Sequence, residues 1–240
     1  MTIPLSFTWR NALFSNWPVD SQHLSSHLPA RLDVEEYDGT GWLSVVPFRN
    51  VDTRPRGLPP VAGLSFPELN LRTYVTCDGE PGVYFFSLDA PSVLSVLGAR
   101  TLHHLPYYYA RMELTHSDGT FRFRSRRLHP GDRPVLFDVS YSPHEDWFVA
   151  EQGSLAEFLT ERRRLYTQGS DGGIRYTDVS HERWPLAPVS VTMEAASLFR
   201  ANGFEPPGGD GVHYYSPGVD VVTGWNRQRE HLKRTAVPRA

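Results

Sequence analysis

The alternation of apolar and polar side chains predicts a chain built mainly of β-strands. Several short segments have period-two alternation or continuous apolar runs, and most are bounded by Gly, Pro, Asn or Asp. The predicted strands are residues 5–14, 31–37, 41–48, 66–75, 83–88, 107–114, 120–128, 135–142, 174–179, 189–193 and 213–222.

Helical periodicity is confined to a few short segments. Asp20 is a helix cap before Leu24 and Leu28, and Asp89 is a second cap before an apolar stripe at residues 93–97. A capping box predicts the longest helix, over residues 154–166, and a short helix is predicted at 195–201.

This order of elements lacks the regular strand–helix alternation of a parallel sheet, and hairpin turns dominate. The predicted fold is therefore mainly β (α+β), an antiparallel β-barrel or double curved sheet with a few short flanking helices. No repeat or linker divides the chain, so we expect a single domain over residues 1–225 and a polar C-terminal tail over 226–240.

One strand has an alternation that a surface strand would not need. Between Glu68 and Val75, small and apolar residues alternate with Glu68, Asn70, Arg72 and Tyr74. An anion, an amide, a cation and a phenol in one row suit the interior of a barrel that holds a small polar or anionic molecule. A buried polar network that only stabilises the barrel would give the same row.

Composition excludes several classes of function. The formal net charge of −3 gives no electrostatic argument for binding nucleic acid or membranes. No apolar run approaches about 18 residues, and the first residues lack the pattern of a signal peptide. Cys77 is the only cysteine, which fits a reducing compartment, so we expect a cytoplasmic protein.

Familiar catalytic and cofactor motifs are absent from the sequence. It contains no GxSxG, HExxH, CxxC pair, GxxxxGK[ST] or GxGxxG segment. The only adjacent histidines, His103 and His104, would point in different directions on a helix and would chelate poorly. We therefore expect no metal and no cofactor.

Two further features have alternative interpretations. Residues 49–63 are rich in Pro and Gly and predict a long loop, which is either a lid or a simple crossover. Arg122, Arg124 and Arg126 alternate with phenylalanines, a pattern that is typical of a solvated outer face and less often of a phosphate-binding surface.

An ordered series of short motifs resembles a known family. It includes PELNLRTYV at 67–75, GVYFFSLDA at 82–90, LPYY at 105–108, FLTER at 158–162 and WPL at 184–186. Together with Trp42 and Pro47-Phe48, these segments resemble the uncharacterised bacterial YqjF-like family, domain of unknown function 2071, over about residues 7–225. The resemblance implies no established activity.

The family is more distantly similar in fold to acetoacetate decarboxylase, a β-barrel with a closed central cavity. That enzyme forms a Schiff base through one of two adjacent lysines. The order of motifs places Tyr107 and Tyr108 at the lysine positions, and Lys233 in the tail is the only lysine of this chain. The resemblance therefore implies the fold without Schiff-base decarboxylation, and it carries Glu68 and Arg100 over to a cavity carboxylate and a nearby arginine.

Three hypotheses follow. The first is a barrel that binds an unknown small molecule, a carboxylate or keto acid; the second is a lysine-independent enzyme with Glu68 as general acid/base. The third is a structural or partner-binding protein, and a homo-oligomer is possible in each case. The candidate catalytic residues are Glu68 and Tyr107, and the candidate ligand-binding residues are Asn70, Arg72, Tyr74, Arg100, Tyr108 and Tyr109.

Overall fold

The structure is a computed structural model that describes residues 4–91, 105–128, 131 and 133–229. Strands dominate these ranges. The strands are β1 (Leu5–Val19), β2 (Asp33–Val34), β3 (Gly41–Pro55), β4 (Leu64–Cys77), β5 (Glu80–Ala90), β6 (Tyr107–Ser117), β7 (Thr120–Arg127), β8 (Val135–Pro143), β9 (Phe148–Val149), β10 (Arg164–Gln168), β11 (Ile174–His181), β12 (Pro185–Ala196), β13 (Val212–Thr223) and β14 (Arg227–Gln228). The helices are α1 (Ser21–Ser25), α2 (Leu155–Thr160) and α3 (Ser197–Ala201), with a 3-10 turn at Pro60–Ala62.

The strands form one large sheet that closes on itself twice. Strands β5, β4, β3, β1, β13, β11 and β10 close a first ring, which we call the hollow barrel. Strands β5, β4, β3, β1, β13, β12, β8, β7 and β6 close a second ring, the filled barrel. The two barrels therefore share a wall of five strands.

Two strands act as forks at the ends of that wall. The first half of β5 pairs with β10 through Val83 and Tyr84, and its last residues pair with β6 from Leu88 onward. Likewise β13 pairs with β12 at Tyr214 and Tyr215 and with β11 near its end. The pairings of β5 with β6 and β10 are parallel, while the other pairings between the strands described are antiparallel.

The shared wall explains the polar row in β4, because both faces of the wall are buried. Leu69 and Leu71 pack on one side into the core of the filled barrel. Glu68, Asn70 and Arg72 lie on the other side and line the hollow barrel. The alternation of β4 thus separates two interiors, where an ordinary surface strand would separate a core from solvent.

The filled barrel contains a continuous apolar core. Phe123, Phe137, Val139 and Tyr141 from β7 and β8 pack there against the leucines of the shared wall. The arginines that alternate with these phenylalanines lie outside, where Arg122 and Arg124 both contact Asp138, at 3.0 and 3.4 Å. This agrees with the prediction of a solvated outer face.

Tight turns join several of the hairpins. Asp78 and Gly79 connect β4 to β5, and both have positive φ, at 52° and 81°. Asp and Gly tolerate this backbone region better than branched residues, so Asp-Gly pairs favour two-residue hairpin turns. The Asp38-Gly39 turn also forms as predicted, although β2 before it pairs with β4 and makes no strand pairing with β3.

Two predictions about local structure are wrong. Residues 49–55 of the predicted loop at 49–63 are strand, because β3 continues to Pro55, and the loop is confined to residues 56–63. The predicted helix at residues 154–166 ends at Thr160, and Arg164 already pairs with β11. In both cases long-range strand pairing outweighs the local sequence preference.

The first strand and one predicted cap also differ from expectation. Strand β1 continues through Trp17 and Pro18 to Val19. Asp89 lies in β5 and forms a buried ion pair with Arg127, while the helix predicted after it lies outside the described residues. By contrast, Asp20 caps α1 as predicted, since its carboxylate accepts the backbone N–H of His23 at 2.8 Å.

The architecture confirms the predicted fold class of a mainly β protein with a few short helices. No helix among the described residues has the length and apolar character needed to cross a membrane. Strand β14, at the beginning of the predicted tail, pairs with β11. The division of the chain at residue 225 stays a prediction.

Candidate functional site

The hollow barrel encloses a cavity of about 310 Å³. Most of its wall is apolar and aromatic, and a few polar side chains converge among these groups, as in many small-molecule sites. The apolar side chains include Phe7, Trp9, Phe14, Phe66, Phe85 and Trp184. The polar side chains include Asn50, Glu68, Asn70, Arg72, Tyr107 and Arg162.

Glu68 lies near the centre of this polar group and is 5% exposed. Its Oε2 atom accepts hydrogen bonds from Asn50 Nδ2 at 2.9 Å and from the Tyr107 hydroxyl at 3.0 Å. Asn50 belongs to β3, Glu68 to β4 and Tyr107 to the first position of β6, so three strands position this carboxylate.

Burial raises the pKa of Glu68 from its ordinary value of 4.5 to about 7. The hydrogen bonds from Tyr107 and Asn50 oppose this shift, while the negative charge of Asp89 adds to it. Burial, followed by the charge of Glu68, raises the pKa of the Tyr107 phenol well above 10. At neutral pH Tyr107 therefore donates a proton in a hydrogen bond to a carboxyl group that can take up or release one.

Arg72 is the second notable side chain, and it is 9% exposed. Its Nη2 atom donates to the Leu159 carbonyl at 3.3 Å, and its guanidinium lies 5.6 Å from the centre of the Phe14 ring. Within the described ranges no Asp or Glu forms an ion pair with it, and its Nε atom has no hydrogen-bond partner. Burial lowers the pKa of Arg72, but a guanidinium stays charged in a protein.

Arg162 places a second guanidinium near Arg72. Arg162 follows α2, and its positive charge contributes to lowering the pKa of Arg72. Glu35 neutralises Arg162 through a contact of 3.0 Å, and the Phe158 carbonyl accepts from its Nε atom at 2.8 Å. Two arginines with one carboxylate leave a net positive charge at this end of the cavity.

An aromatic group lines another part of the cavity. Trp9 and Trp184 stack with ring centres 5.5 Å apart and planes 9° from parallel, and His181 lies beside both rings. Burial lowers the pKa of His181, and its Nδ1 atom contacts the Glu182 carbonyl at 2.6 Å. A carbonyl can only accept, so this nitrogen carries the proton.

The structure brings four of the predicted site residues together at the cavity: Glu68, Asn70, Arg72 and Tyr107. Tyr74 is fully buried at their side, and its hydroxyl donates to the Leu159 carbonyl at 2.8 Å. It therefore supports the wall and the carbonyl that also binds Arg72.

Three other predicted residues are placed differently. Tyr108 faces away from the hollow barrel and lies 4.1 Å from the Arg127 guanidinium, because neighbours on a strand point to opposite faces. Tyr109 is 38% exposed and does not line the cavity. Arg100 lies outside the described residues.

Sequence reasoning missed Asn50, Arg162, His181 and the stacked tryptophans. Asn50 fell in a predicted loop and Arg162 in a predicted helix, so neither was assigned to a strand face. If the predicted strand had continued to Pro55, Asn50 would have been placed on the same face as Val46 and Phe48, because every second side chain of a strand shares a face. Nothing in the local pattern indicates Arg162 or His181, because only the closure of the barrel brings them to the site.

A curated relative resembles most of this chain. The Uncharacterized protein YqjF of Bacillus subtilis (strain 168) is 41% identical over 216 residues, which cover 90% of this chain and 88% of the relative. Its name states no activity.

Several solved structures have a similar fold, and three of them are structures of enzymes. Acetoacetate decarboxylase from Legionella pneumophila aligns with a TM-score of 0.68 at 14% identity, covering 95% of this chain and 88% of that one. The enduracididine biosynthesis enzyme MppR, complexed with the condensation product of pyruvate and imidazole 4-carboxaldehyde, aligns at 0.67 and 10%, covering 95% and 90%. A second structure, MppR complexed with pyruvate, aligns at 0.66 and 10%, covering 95% and 91%. These identities show a shared fold alone.

A family match covers nearly the whole chain. Residues 6–220 match the family DUF2071, described as an uncharacterized conserved protein. This range includes nearly all of the shared wall and the strands that carry Glu68, Arg72 and Tyr107. Together with the relative in Bacillus subtilis, the match shows that the chain belongs to the DUF2071 family.

Proposed function

We propose that the hollow barrel binds a small monocarboxylate, with Arg72 as the group that holds its carboxylate. The observation that carries this proposal is a buried guanidinium at the cavity with no acidic partner among the described residues. A buried charge without a partner costs several kcal/mol of effective desolvation free energy. An anionic ligand would offset that cost.

The hydrogen-bonding state of the cavity residues supports the same conclusion. Buried polar atoms normally have hydrogen-bond partners. Among the residues that line the cavity, however, unpartnered buried atoms recur within the part of the chain that the structure describes: Thr53 Oγ1, Asn70 Oδ1, Arg72 Nε, Arg162 Nη2, Thr167 Oγ1, His181 Nε2 and Trp184 Nε1. Three of these seven atoms are N–H donors and two are hydroxyl groups that can donate, so five of them could bind a ligand rich in acceptor oxygens.

This pattern favours a binding site over a purely structural polar network. A stabilising network would pair its charges, as Asp89 and Arg127 do in the filled barrel at 2.6 Å. MppR, which has the same fold, is described in complex with pyruvate, a small 2-oxo monocarboxylate. Its sequence identity to this chain is low, so it supports only the ability of the fold to hold such an acid.

Native mass spectrometry of freshly purified protein tests the proposal, followed by extraction of any bound molecule. We expect a retained carboxylate, or thermal stabilisation by monocarboxylates beginning with pyruvate, and loss of either in Arg72→Met. Arg122→Met is the matched control, because Arg122 pairs with Asp138 on the outer face at 3.0 Å. An empty protein that no monocarboxylate stabilises would overturn the proposal.

A second candidate function is acid–base catalysis on the bound acid by Glu68. The observation that favours it is the Glu68 carboxyl group, whose pKa of about 7 lies near neutral pH, where a general acid or base works best. Tyr107, hydrogen-bonded to the same carboxylate, would donate to an oxygen of the substrate. Proton transfer by a carboxyl group and a phenol passes through no imine, so this chemistry needs no lysine.

Hydrogen–deuterium exchange tests this second candidate. In D₂O, Glu68 would accept a proton from the carbon beside a keto group and return a deuteron, which proton NMR of pyruvate or acetoacetate detects. We expect Glu68→Gln to abolish the protein-catalysed exchange and Tyr107→Phe to slow it. Exchange at the same rate in Glu68→Gln would contradict the role of Glu68 while leaving binding at Arg72 intact.

A further inference from the structure

The side chains of β4 that face the hollow barrel change character along the strand. Leu64 is 59% exposed and Phe66 is half-buried, and both line the cavity. Glu68 and Asn70 are each 5% exposed, and Arg72 is 9% exposed. The cavity is therefore apolar and open to the surface at one end of β4, and buried and cationic at the other.

The two ends are far apart. Arg72 is eight residues beyond Leu64, so at about 3.3 Å per residue their Cα atoms are roughly 26 Å apart along the strand. Pyruvate would occupy only the inner part of such a length. Between the two ends the wall combines Glu68 and Asn70 of β4 with the stacked rings of Trp9 on β1 and Trp184 in the segment before β12.

The outer end carries apolar side chains on more than one strand, with the hydroxyl groups of Thr53 and Thr223 beside them. Leu5 of β1 lines the cavity there together with Leu64. The hairpin between β3 and β4 also carries two strongly exposed apolar side chains, Leu58 at 48% and Val61 at 92%. An apolar rim of this kind gives a favourable exit for a hydrocarbon chain, which would gain free energy from leaving water.

We infer that the occupant is an elongated monocarboxylic acid, bound with its carboxylate at Arg72 and its hydrocarbon chain directed towards Leu64. The inference rests on the proposed function and adds the length and orientation of the ligand. It follows from the polarity gradient along β4, since only a molecule with one anionic end and one apolar end matches both ends of the cavity.

Isothermal titration calorimetry with saturated acids of four to fourteen carbons tests the inference. Each methylene that enters an apolar site tightens binding by about fourfold at most. We expect octanoate to bind roughly 100-fold more tightly than butanoate, and the affinity to level off once the chain reaches Leu64. Octanol, which lacks the carboxylate, should bind much more weakly than octanoate.

A variant at the apolar rim tests the orientation of the bound acid. Leu64→Asn changes an exposed side chain, so it should fold normally, lower the affinity for the longest acids severalfold and leave butanoate unchanged. Leu136→Asn is the matched control, because Leu136 is an exposed leucine of β8 in the filled barrel. Arg72→Met should reduce octanoate to the affinity of octanol.

The outcomes separate the two proposals. If butanoate binds through Arg72 as tightly as octanoate, or if Leu64→Asn leaves the longest acids unaffected, the elongated ligand is wrong and the carboxylate site stands. If no acid binds in a manner that depends on Arg72, the carboxylate site itself is wrong, and the inference falls with it.

Discussion

Arg127 in the filled barrel and Arg72 in the hollow barrel are both buried, on opposite sides of the shared wall. Arg127 lies 2.6 Å from Asp89, and both side chains are 2% exposed. Within the described residues, Arg72 donates to a carbonyl and lies against the rings of Phe14 and Tyr74, and no Asp or Glu pairs with it. A buried arginine thus has a counter-charge in the packed interior of the filled barrel and has none beside the cavity of the hollow barrel.

This difference teaches which buried polar groups point to function. A paired charge in a packed core contributes to the specificity of the fold, and its partner accounts for it. An unpaired charge beside a cavity has no structural explanation of this kind. The contrast also applies to the carboxyl groups, since Asp89 has an arginine partner while Glu68 has only Tyr107 and Asn50.

The largest expected effect comes from removing charge on each side of the wall. Asp89→Asn leaves Arg127 buried without a counter-charge, so we expect a loss of about 3–5 kcal/mol in the free energy of unfolding. Arg72→Met removes an unpaired charge, and the Leu159 carbonyl keeps its bond from Tyr74. The ligand-free Arg72 variant should therefore be as stable as the wild type or more stable.

Urea unfolding of both variants at pH 8, without added ligand, measures this contrast. Equal losses of stability in the two variants would show that Arg72 has a structural partner, and the comparison between the barrels would fail.

The next largest expected loss of stability concerns two phenylalanines, one in each barrel. Phe123 is fully buried in the core of the filled barrel, so Phe123→Ala should cost about 3–5 kcal/mol through lost burial and a new void. Phe66 is half-buried beside an existing cavity, so Phe66→Ala should cost about 1 kcal/mol. Thermal and urea unfolding give both values, and similar costs would mean that the hollow barrel is packed as tightly as the filled one.

The smallest of the three effects concerns Glu68 and pH. Its pKa in the folded state, about 7, is above its ordinary value of 4.5, so the folded protein binds the proton more tightly than the unfolded chain. The resulting stability is fully present below pH 4.5 and is lost as the pH rises through 7. By pH 8.5 the loss amounts to about 3 kcal/mol.

Glu68→Gln removes this dependence. The variant should match the wild type at pH 5 and be more stable than it at pH 8.5, as measured by urea unfolding at the two pH values. Glu36→Gln, at an exposed glutamate, is the control and should follow the wild type. A Glu68→Gln protein that keeps the pH dependence of the wild type would argue against a buried, proton-binding Glu68.

Much of the fold was predictable from local patterns. The hairpin turns at Asp38-Gly39 and Asp78-Gly79, the cap at Asp20 and the alternation of β7 all depend on neighbours within a few residues. The ends of β3 and the extent of α2 were not predictable, because distant strands determine them. Pairing with β1 and β4 extends β3 to Pro55, although a loop was predicted from Arg49 onward.

The candidate site also has one part that local sequence patterns predicted and one part that depends on distant strands. The row Glu68, Asn70 and Arg72 follows from the period of one strand. Tyr107 was a candidate from the sequence, but its contact with Glu68 depends on the parallel pairing of β5 with β6. The expectations of a homo-oligomer and of a cytoplasmic location stay predictions.

By itself, the sequence determined that the chain is mainly β and that one strand has a polar face and an apolar face, since side-chain alternation is a local property of a strand. It also determined the absence of a lysine at the positions of Tyr107 and Tyr108. Only the tertiary structure decided that both faces of that strand are buried, in two different barrels. Closure of the sheet depends on the forks at β5 and β13, and the burial that raises the pKa of Glu68 and isolates Arg72 exists only after that closure.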